Sequence, residues 1–116
     1  MKLDVLVIED ANPCHIKQKL DQMLGGDVRI DVIDSGEEAI KKAKEKEYDL
    51  AVIDFNMGCM NGLQTARELK VIIPKLKMIG YSSSWSQSNA SEAGLEFYHR
   101  DLYNIGIYIQ EKVLTK

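Results

Sequence analysis

Five short apolar runs alternate with segments of helical spacing along the chain, and this alternation constrains the fold more than any other feature. Strands separated by helices favour a parallel sheet with helices packed on both of its faces. The right-handed crossover rule then leaves few possible topologies. The predicted strands cover residues 3–8, 28–33, 49–53, 76–81 and 95–99.

Local signals predict where the helices begin and end. Pro13 suits the first position of a helix, and Gly25 with Gly26 predicts its end. Ser35 and Glu38 have the spacing of a capping box, which predicts a second helix that reaches about Lys46. Its lysines are expected to form a solvated face, at positions 41, 42, 44 and 46. The remaining predicted helices are a third before Pro74, a short fourth that ends near Gly94 and a last one over residues 102–113.

Length and composition exclude several classes of protein. A chain of 116 residues has room for one domain, so residues 1–116 are expected to form a single unit. A net charge of -3 argues against non-specific binding of nucleic acid, which requires a basic surface. No run of about 18 apolar residues and no secretory signal are found, so the default expectation is a cytoplasmic protein without a membrane span. The two cysteines form neither a disulfide framework nor a zinc pattern.

Acidic residues follow two of the predicted strands at the point where each strand ends. Glu9 and Asp10 end the first strand, Asp54 ends the third, and the serines 82–84 follow the fourth. Ligands of open parallel sheets bind at the carboxyl ends of the strands. Clustered carboxylates repel one another, and a magnesium ion, which prefers oxygen ligands, relieves that repulsion. Because an aspartate can act as a nucleophile toward phosphorus, these residues predict magnesium-dependent phosphoryl transfer.

Four segments of the chain resemble the receiver (CheY-like, phosphoacceptor) domain of bacterial two-component response regulators. They are LVIED at 6–10, DSGEEAI at 34–40, AVIDFNMGCMNG at 51–62 and YSS at 81–83. The resemblance extends over almost the whole chain. It implies a flavodoxin-like three-layer α/β/α fold with strand order 2-1-3-4-5. It also implies a signalling switch that promotes its own phosphorylation and dephosphorylation, without turnover of a separate substrate.

The resemblance implies roles for individual residues. Asp54 is similar to the phosphoacceptor, and Ser82 to the hydroxyl residue that bonds the phosphoryl group and moves on activation. Asn56 and Ser84 resemble the two positions that govern access of water to the acyl phosphate. The aromatic switch residue of the fifth strand corresponds to Tyr98 or Phe97. The implied ligands of Mg²⁺ are Glu9, Asp10, Asp54 and the backbone carbonyl of Asn56.

The chain departs from the family pattern at the end of the fifth strand, where the family has a lysine that pairs with the phosphoryl group. No lysine lies between Lys77 and Lys112. When positions are counted directly from Gly94, Asp101 falls at the position of the family's lysine. If this chain has one residue fewer than the family pattern in that segment, Arg100 falls there instead. The guanidinium of Arg100 is able to bind an anion in place of the lysine. A second departure is Gly58, which replaces a proline and leaves the loop freer.

The sequence is compatible with two functions. In the first, a sensor histidine kinase or phosphotransfer protein phosphorylates Asp54, and the face formed by the fourth helix, fifth strand and last helix changes so that a partner protein reads it. Output then passes through another protein, or the full-length product is longer than this chain. In the second, the chain is a pseudo-receiver that binds a protein without phosphate, as the missing lysine favours. A phosphatase-like hydrolase ranks last, because residue 56 is Asn and the chain has no room for a substrate-binding cap.

Overall fold

The fold consists of alternating strands and helices, as the sequence predicts. A computed structural model describes residues 3–9, 13–54, 62–81, 95, 97–99 and 102–113. The strands are β1 (Leu3–Ile8), β2 (Val28–Ile33), β3 (Leu50–Asp54), β4 (Lys77–Tyr81) and β5 (Phe97–His99). The helices are α1 (Pro13–Leu24), α2 (Gly36–Glu45), α3 (Gly62–Ile72) and a C-terminal helix (Leu102–Tyr108) that continues as a π-helical turn (Ile109–Val113). The predicted short helix within residues 82–94 lies outside the described residues. None of the described helices has the length and apolar content that a membrane span requires.

All neighbouring strands of the sheet are parallel, and their order is β2-β1-β3-β4-β5. This order confirms the flavodoxin-like topology. β1 lies between β2 and β3, and the order reverses there because the chain next adds strands on the other side. Such a reversal is the switch point at which open α/β sheets bind their ligands.

Two apolar layers cover the faces of the sheet. Successive strand residues point to opposite faces. Leu6 therefore packs with Leu69 of α3 on one face. Val5, its neighbour, packs with Leu20 of α1 and Ile105 of the C-terminal helix on the other face. Because both faces are covered, the inner strands are almost entirely apolar.

The predicted helix ends are confirmed at two places. The Ser35 hydroxyl oxygen accepts a hydrogen bond from the Glu38 N–H at 3.2 Å and caps α2. Gly25 has a φ of +64°, a left-handed conformation that glycine adopts without a steric cost, and it directly follows α1. Both signals are local, so they could be identified without knowledge of the tertiary fold.

The C-terminal helix packs against α1 and carries a glycine at the contact. Gly106 is buried, and a Cβ at this position would collide with the Sδ and Cε atoms of Met23. Glycine lowers the stability of a helix interior by about 0.5–1 kcal/mol relative to alanine. Here the missing side chain leaves room for the end of the Met23 side chain between the two helices.

The strand predicted over 49–53 was placed one residue too early. β3 begins at Leu50, and Asp49, which directly precedes it, is hydrogen-bonded to Asp4 of β1. The Asp49 carboxylate accepts a hydrogen bond from the Asp4 N–H at 2.9 Å, and the Asp49 N–H donates to the Asp4 carbonyl at 2.9 Å. Asp49 thus anchors the connection between α2 and β3 to the first strand.

Two other strand boundaries also differ from the prediction. The strand predicted over 76–81 begins at Lys77, because the Leu76 N–H donates to the Ile73 carbonyl at 3.0 Å in a turn. The strand predicted over 95–99 is shorter and covers Phe97–His99, which pair with Ile79–Tyr81 of β4.

Candidate functional site

The carboxyl ends of β1 and β3 lie side by side in the middle of the sheet. Ile8 of β1 pairs with Ile53 of β3, and an acid follows each of them along the chain. Glu9 follows Ile8, and Asp54 follows Ile53. On its other side, Asp54 pairs with Tyr81, the last residue of β4. The backbone register therefore brings the predicted phosphoacceptor position next to the acidic end of β1.

Glu9 is held at the sheet edge by its backbone. Its N–H donates a hydrogen bond to the Ile33 carbonyl of β2 at 3.1 Å, which extends the pairing of β1 and β2 by one residue. Only 5% of Glu9 is exposed. Burial of a carboxylate costs free energy unless it is compensated by hydrogen bonds or a cation. A buried acid beside a second acidic position is the type of oxygen donor set that suits a hard divalent cation.

The remaining predicted site residues are only partly covered by the structure. The backbones of Asp54, Phe97 and Tyr98 lie in β3 and β5, with Phe97 opposite Ile79 and Tyr98 opposite Gly80. Their side chains are not among the described features. Among the residues that the structure describes, no group of three or more His, Cys, Asp or Glu residues could hold a metal ion. Outside those residues lie Asp10, Asn56, Ser82, Ser84 and Arg100.

The opposite end of the sheet carries a charged network that the sequence analysis did not identify. We call it the amino-edge network, and it consists of Asp4, Arg29, Asp31, Lys46 and Tyr48. Arg29 Nε lies 3.1 Å from Asp4 Oδ1, and Arg29 is the register partner of Asp4. Lys46 Nζ lies 3.3 Å from Asp4 Oδ1 and 3.2 Å from Asp31 Oδ2. One lysine thus bridges acids of two neighbouring strands.

Tyr48 completes the amino-edge network from the connection between α2 and β3. Its hydroxyl donates a hydrogen bond of 2.6 Å to Asp31 Oδ2, and only 2% of the residue is exposed. The Lys46 ammonium lies 5.1 Å from the centre of the Tyr48 ring, within the range of a cation–π contact. Lys46 is exposed, as predicted for the solvated face of lysines, and it also forms ion pairs with the acids of β1 and β2.

Charges and hydrogen bonds in the amino-edge network shift three pKa values. The hydrogen bond from Tyr48, followed by that from Lys46, holds the pKa of Asp31 below its usual value against the opposing effect of burial. The Asp31 hydrogen bond raises the pKa of Lys46. Burial, and next the bond to Asp31, raises the pKa of the Tyr48 phenol. The polar residues in the apolar strand runs, Asp4 in β1 and Arg29 with Asp31 in β2, were the signal that could have identified this network.

A parallel five-stranded sheet of order 2-1-3-4-5, with acids at the carboxyl ends of β1 and β3, defines a CheY-like receiver fold. The sequence model of the response regulator receiver domain matches residues 5–101. The chain therefore belongs to the response regulator receiver domain family.

Known relatives and structures agree with this assignment. Transcriptional regulatory protein ZraR of Klebsiella oxytoca is 34% identical over 97 residues, which are 80% of this chain and 21% of ZraR. The chain spans about a fifth of the length of the curated relatives it matches.

Two crystal structures share the fold at low sequence identity. The receiver domain of a sensor histidine kinase from Pseudomonas aeruginosa PAO1, with a magnesium ion coordinated in its active site cleft, has a TM-score of 0.82 at 18% identity and full coverage of both chains. A response regulator from Burkholderia pseudomallei, with a phosphorylated aspartic acid, calcium ion and citrate, has a TM-score of 0.76 at 19% identity. That match covers 98% of this chain and 69% of the other.

Proposed function

We propose that this receiver domain accepts a phosphoryl group on Asp54 in a reaction that requires Mg²⁺. One observation carries the proposal: Glu9 and Asp54 directly follow the paired residues Ile8 and Ile53, at the switch point of the sheet. In the reaction, a carboxylate oxygen of Asp54 attacks phosphorus, and the bond between phosphorus and the donor's leaving group breaks. The product is an aspartyl phosphate, a mixed anhydride of the kind that carboxylate nucleophiles form.

Magnesium would be held by Glu9, Asp10, Asp54 and the backbone carbonyl of Asn56. When bound, the ion neutralises negative charge on the phosphoryl group and on the acids. The burial of Glu9 beside the Asp54 position supports this assignment, because a buried carboxylate favours a cation. The magnesium ion of the Pseudomonas aeruginosa receiver domain and the phosphorylated aspartic acid of the Burkholderia pseudomallei protein support the same chemistry in this fold.

Phosphorylation would change the balance between two conformations of the domain. Ser82 follows β4 and would donate a hydrogen bond to a phosphoryl oxygen. Tyr98 or Phe97, on the neighbouring β5, would then change position. A phosphoryl group shifts such an equilibrium only by as much as it stabilises one conformation over the other. Arg100 would supply the positive charge that the family's lysine provides, and Asn56 with Ser84 would admit water that hydrolyses the acyl phosphate.

The partners follow from the proposed chemistry. A sensor histidine kinase or phosphotransfer protein would donate the phosphoryl group, and an output protein would read the face that includes β5 and the C-terminal helix. We further propose that residues 1–116 form a single receiver domain that acts in the cytoplasm. Output would pass through a separate protein or through further domains of a longer chain, since ZraR is about five times as long as the matched segment.

A pseudo-receiver, which binds its partner without phosphorylation, is the second candidate. The absence of any lysine between Lys77 and Lys112 favours the pseudo-receiver. Without that lysine, Arg100 would have to provide the positive charge beside the phosphoryl group. Both candidate functions use the same fold. They differ in whether Asp54, at the carboxyl end of β3, is phosphorylated.

Binding of beryllofluoride, a mimic of the phosphoryl group, separates the two candidates. The amide NMR spectrum of the protein with Mg²⁺ is recorded before and after addition of beryllofluoride. The proposed function predicts shifts at Glu9, at Tyr81 and in β5, and predicts no shifts without Mg²⁺ or in Asp54→Asn. An unchanged spectrum of the wild type with Mg²⁺ would contradict phosphorylation and support the pseudo-receiver.

A further inference from the structure

Lys46 occupies a junction between three parts of the fold at the amino end of the sheet. It is the residue at the C-terminal cap of α2, where its N–H donates to the Lys42 carbonyl at 2.9 Å. Its ammonium contacts Asp4 of β1 and Asp31 of β2. It also lies over the ring of Tyr48, which belongs to the connection to β3. No other lysine in the described part of the chain has ion pairs with two acids.

β2 depends on such side-chain links more than the inner strands do. It lies at the end of the strand order and pairs with β1 alone. Edge strands and their flanking helices open more readily than central strands. The link through Asp31 is strengthened by the 2.6 Å hydrogen bond from Tyr48, whose buried ring fixes the position of its hydroxyl. Arg29 adds a second cation next to Asp4.

Without Lys46, the acids of this region would repel one another. Asp4, Asp31 and Asp49 all lie near the amino end, and Asp49 is hydrogen-bonded to the backbone of Asp4. Arg29 would still face Asp4, and Lys42 would still act on Asp31 from α2. Arg29, a residue of β2, would still link that strand to Asp4, but neither of these two cations has ion pairs with both Asp4 and Asp31 in the described part of the chain. The separation of β2 from β1 at this end would therefore become easier.

We propose that Lys46 is an electrostatic clamp that holds Asp4 of β1 and Asp31 of β2 together and thereby limits the local opening of the edge unit formed by β2 and α2. This inference does not depend on phosphorylation of Asp54. The opening of β2 would nevertheless affect the carboxyl end of the sheet, because the Ile33 carbonyl of β2 accepts the hydrogen bond from the Glu9 N–H. Opening of β2 along its whole length breaks that bond and frees the backbone of Glu9.

Native-state hydrogen exchange of Lys46→Gln tests the clamp. Ionic networks at partly exposed sites contribute modestly, so we expect protected amides of β2 and the Glu9 amide to exchange about three- to tenfold faster. Amides of β4 should keep their wild-type rates. The difference should shrink in concentrated salt, which screens charges, and Lys46→Arg should exchange like the wild type.

Lys44→Gln is the matched control, because Lys44 is an exposed lysine of the same helix for which the structure describes no ion pair. It should leave the exchange rates of β2 unchanged. Two results would overturn the clamp. One is equal exchange in Lys46→Gln and Lys44→Gln. The other is an equal increase in β2 and β4 of Lys46→Gln, which would indicate global destabilisation instead of local opening.

Discussion

The Glu9 N–H donates a 3.1 Å hydrogen bond to the Ile33 carbonyl, and this bond extends the sheet by one residue beyond β1. It keeps Glu9 in line with the strand instead of in a free loop, so its side chain is buried next to the Asp54 position. The candidate metal site is therefore built partly from backbone geometry. Any change that separates the end of β2 from β1 should also disturb Glu9.

Glu9→Gln is predicted to weaken binding of Mg²⁺. The change keeps the size of the side chain and removes its negative charge, so the fold should be retained. Because loss of even an outer-shell partner typically costs tenfold or more in metal affinity, we expect a reduction of about tenfold or more. Calorimetric titration of the protein with MgCl₂ measures the affinity directly.

Glu37→Gln is the control for that titration, since Glu37 is an exposed acid in the first turn of α2. Its affinity for Mg²⁺ should equal that of the wild type within error. If Glu9→Gln binds Mg²⁺ as tightly as Glu37→Gln, Glu9 is not a ligand, and the proposed metal site is wrong.

Tyr48→Phe is predicted to destabilise the fold by about 1 kcal/mol at neutral pH. The phenyl ring retains its packing, whereas the 2.6 Å hydrogen bond to Asp31 is lost. Urea denaturation of Tyr48→Phe, Asp31→Asn and the double variant isolates the energy of the pair. Additive effects in this cycle would show that the bond contributes nothing.

The same pair predicts a dependence of stability on pH. The folded state lowers the pKa of Asp31, mainly through the Tyr48 hydrogen bond. The folded state therefore binds this proton less readily than the unfolded state, and the stabilisation is fully present above the ordinary pKa of aspartate. It is lost as the pH falls through the folded-state pKa. The pKa of Asp31 from NMR titration should rise in Tyr48→Phe, and an unchanged value would contradict the assigned cause.

Leu69→Ala is predicted to cost about 2–5 kcal/mol in the free energy of unfolding. Leu69 of α3 is completely buried against the sheet, so truncation leaves a cavity or forces the layer to collapse. Val71→Ala on the same helix is the matched control, because Val71 is 81% exposed. It should change stability by no more than about 0.5 kcal/mol. Equal costs for the two variants in chemical denaturation would contradict the described packing of α3.

Much of the fold could be predicted because its determinants are local and repeat along the chain. The cap at Ser35 and the end of α1 at Gly25 depend on neighbouring residues alone, and both are observed. The order of the strands could be predicted only from the family resemblance. The alternation of strands and helices indicates a parallel sheet but does not determine which strands are neighbours. The sheet of the structure confirms that order.

The features that could not be predicted depend on contacts between residues that are distant in the chain. The connection before β3 is held by hydrogen bonds between Asp49 and Asp4, which lies 45 positions earlier. Lys46 is exposed, as predicted, but its ion pairs could not be predicted because its acidic partners lie on strands that are remote in sequence. The position of Glu9 at the end of β1, beside the end of β3, was easier to predict, because the ends of neighbouring parallel strands meet at one edge of the sheet.

The mass of the intact protein shows whether Asp54 accepts a phosphoryl group. The wild type, Asp54→Asn and the control Asp21→Asn are incubated with Mg²⁺ and a small phosphodonor. Asp21 is an acid of α1 that pairs with Lys17, remote in the chain from the candidate site. We predict a gain of one phosphoryl group in the wild type and in Asp21→Asn, and none in Asp54→Asn or without Mg²⁺. No gain in the wild type, or an equal gain in Asp54→Asn, would contradict the assignment of Asp54 as the phosphoacceptor.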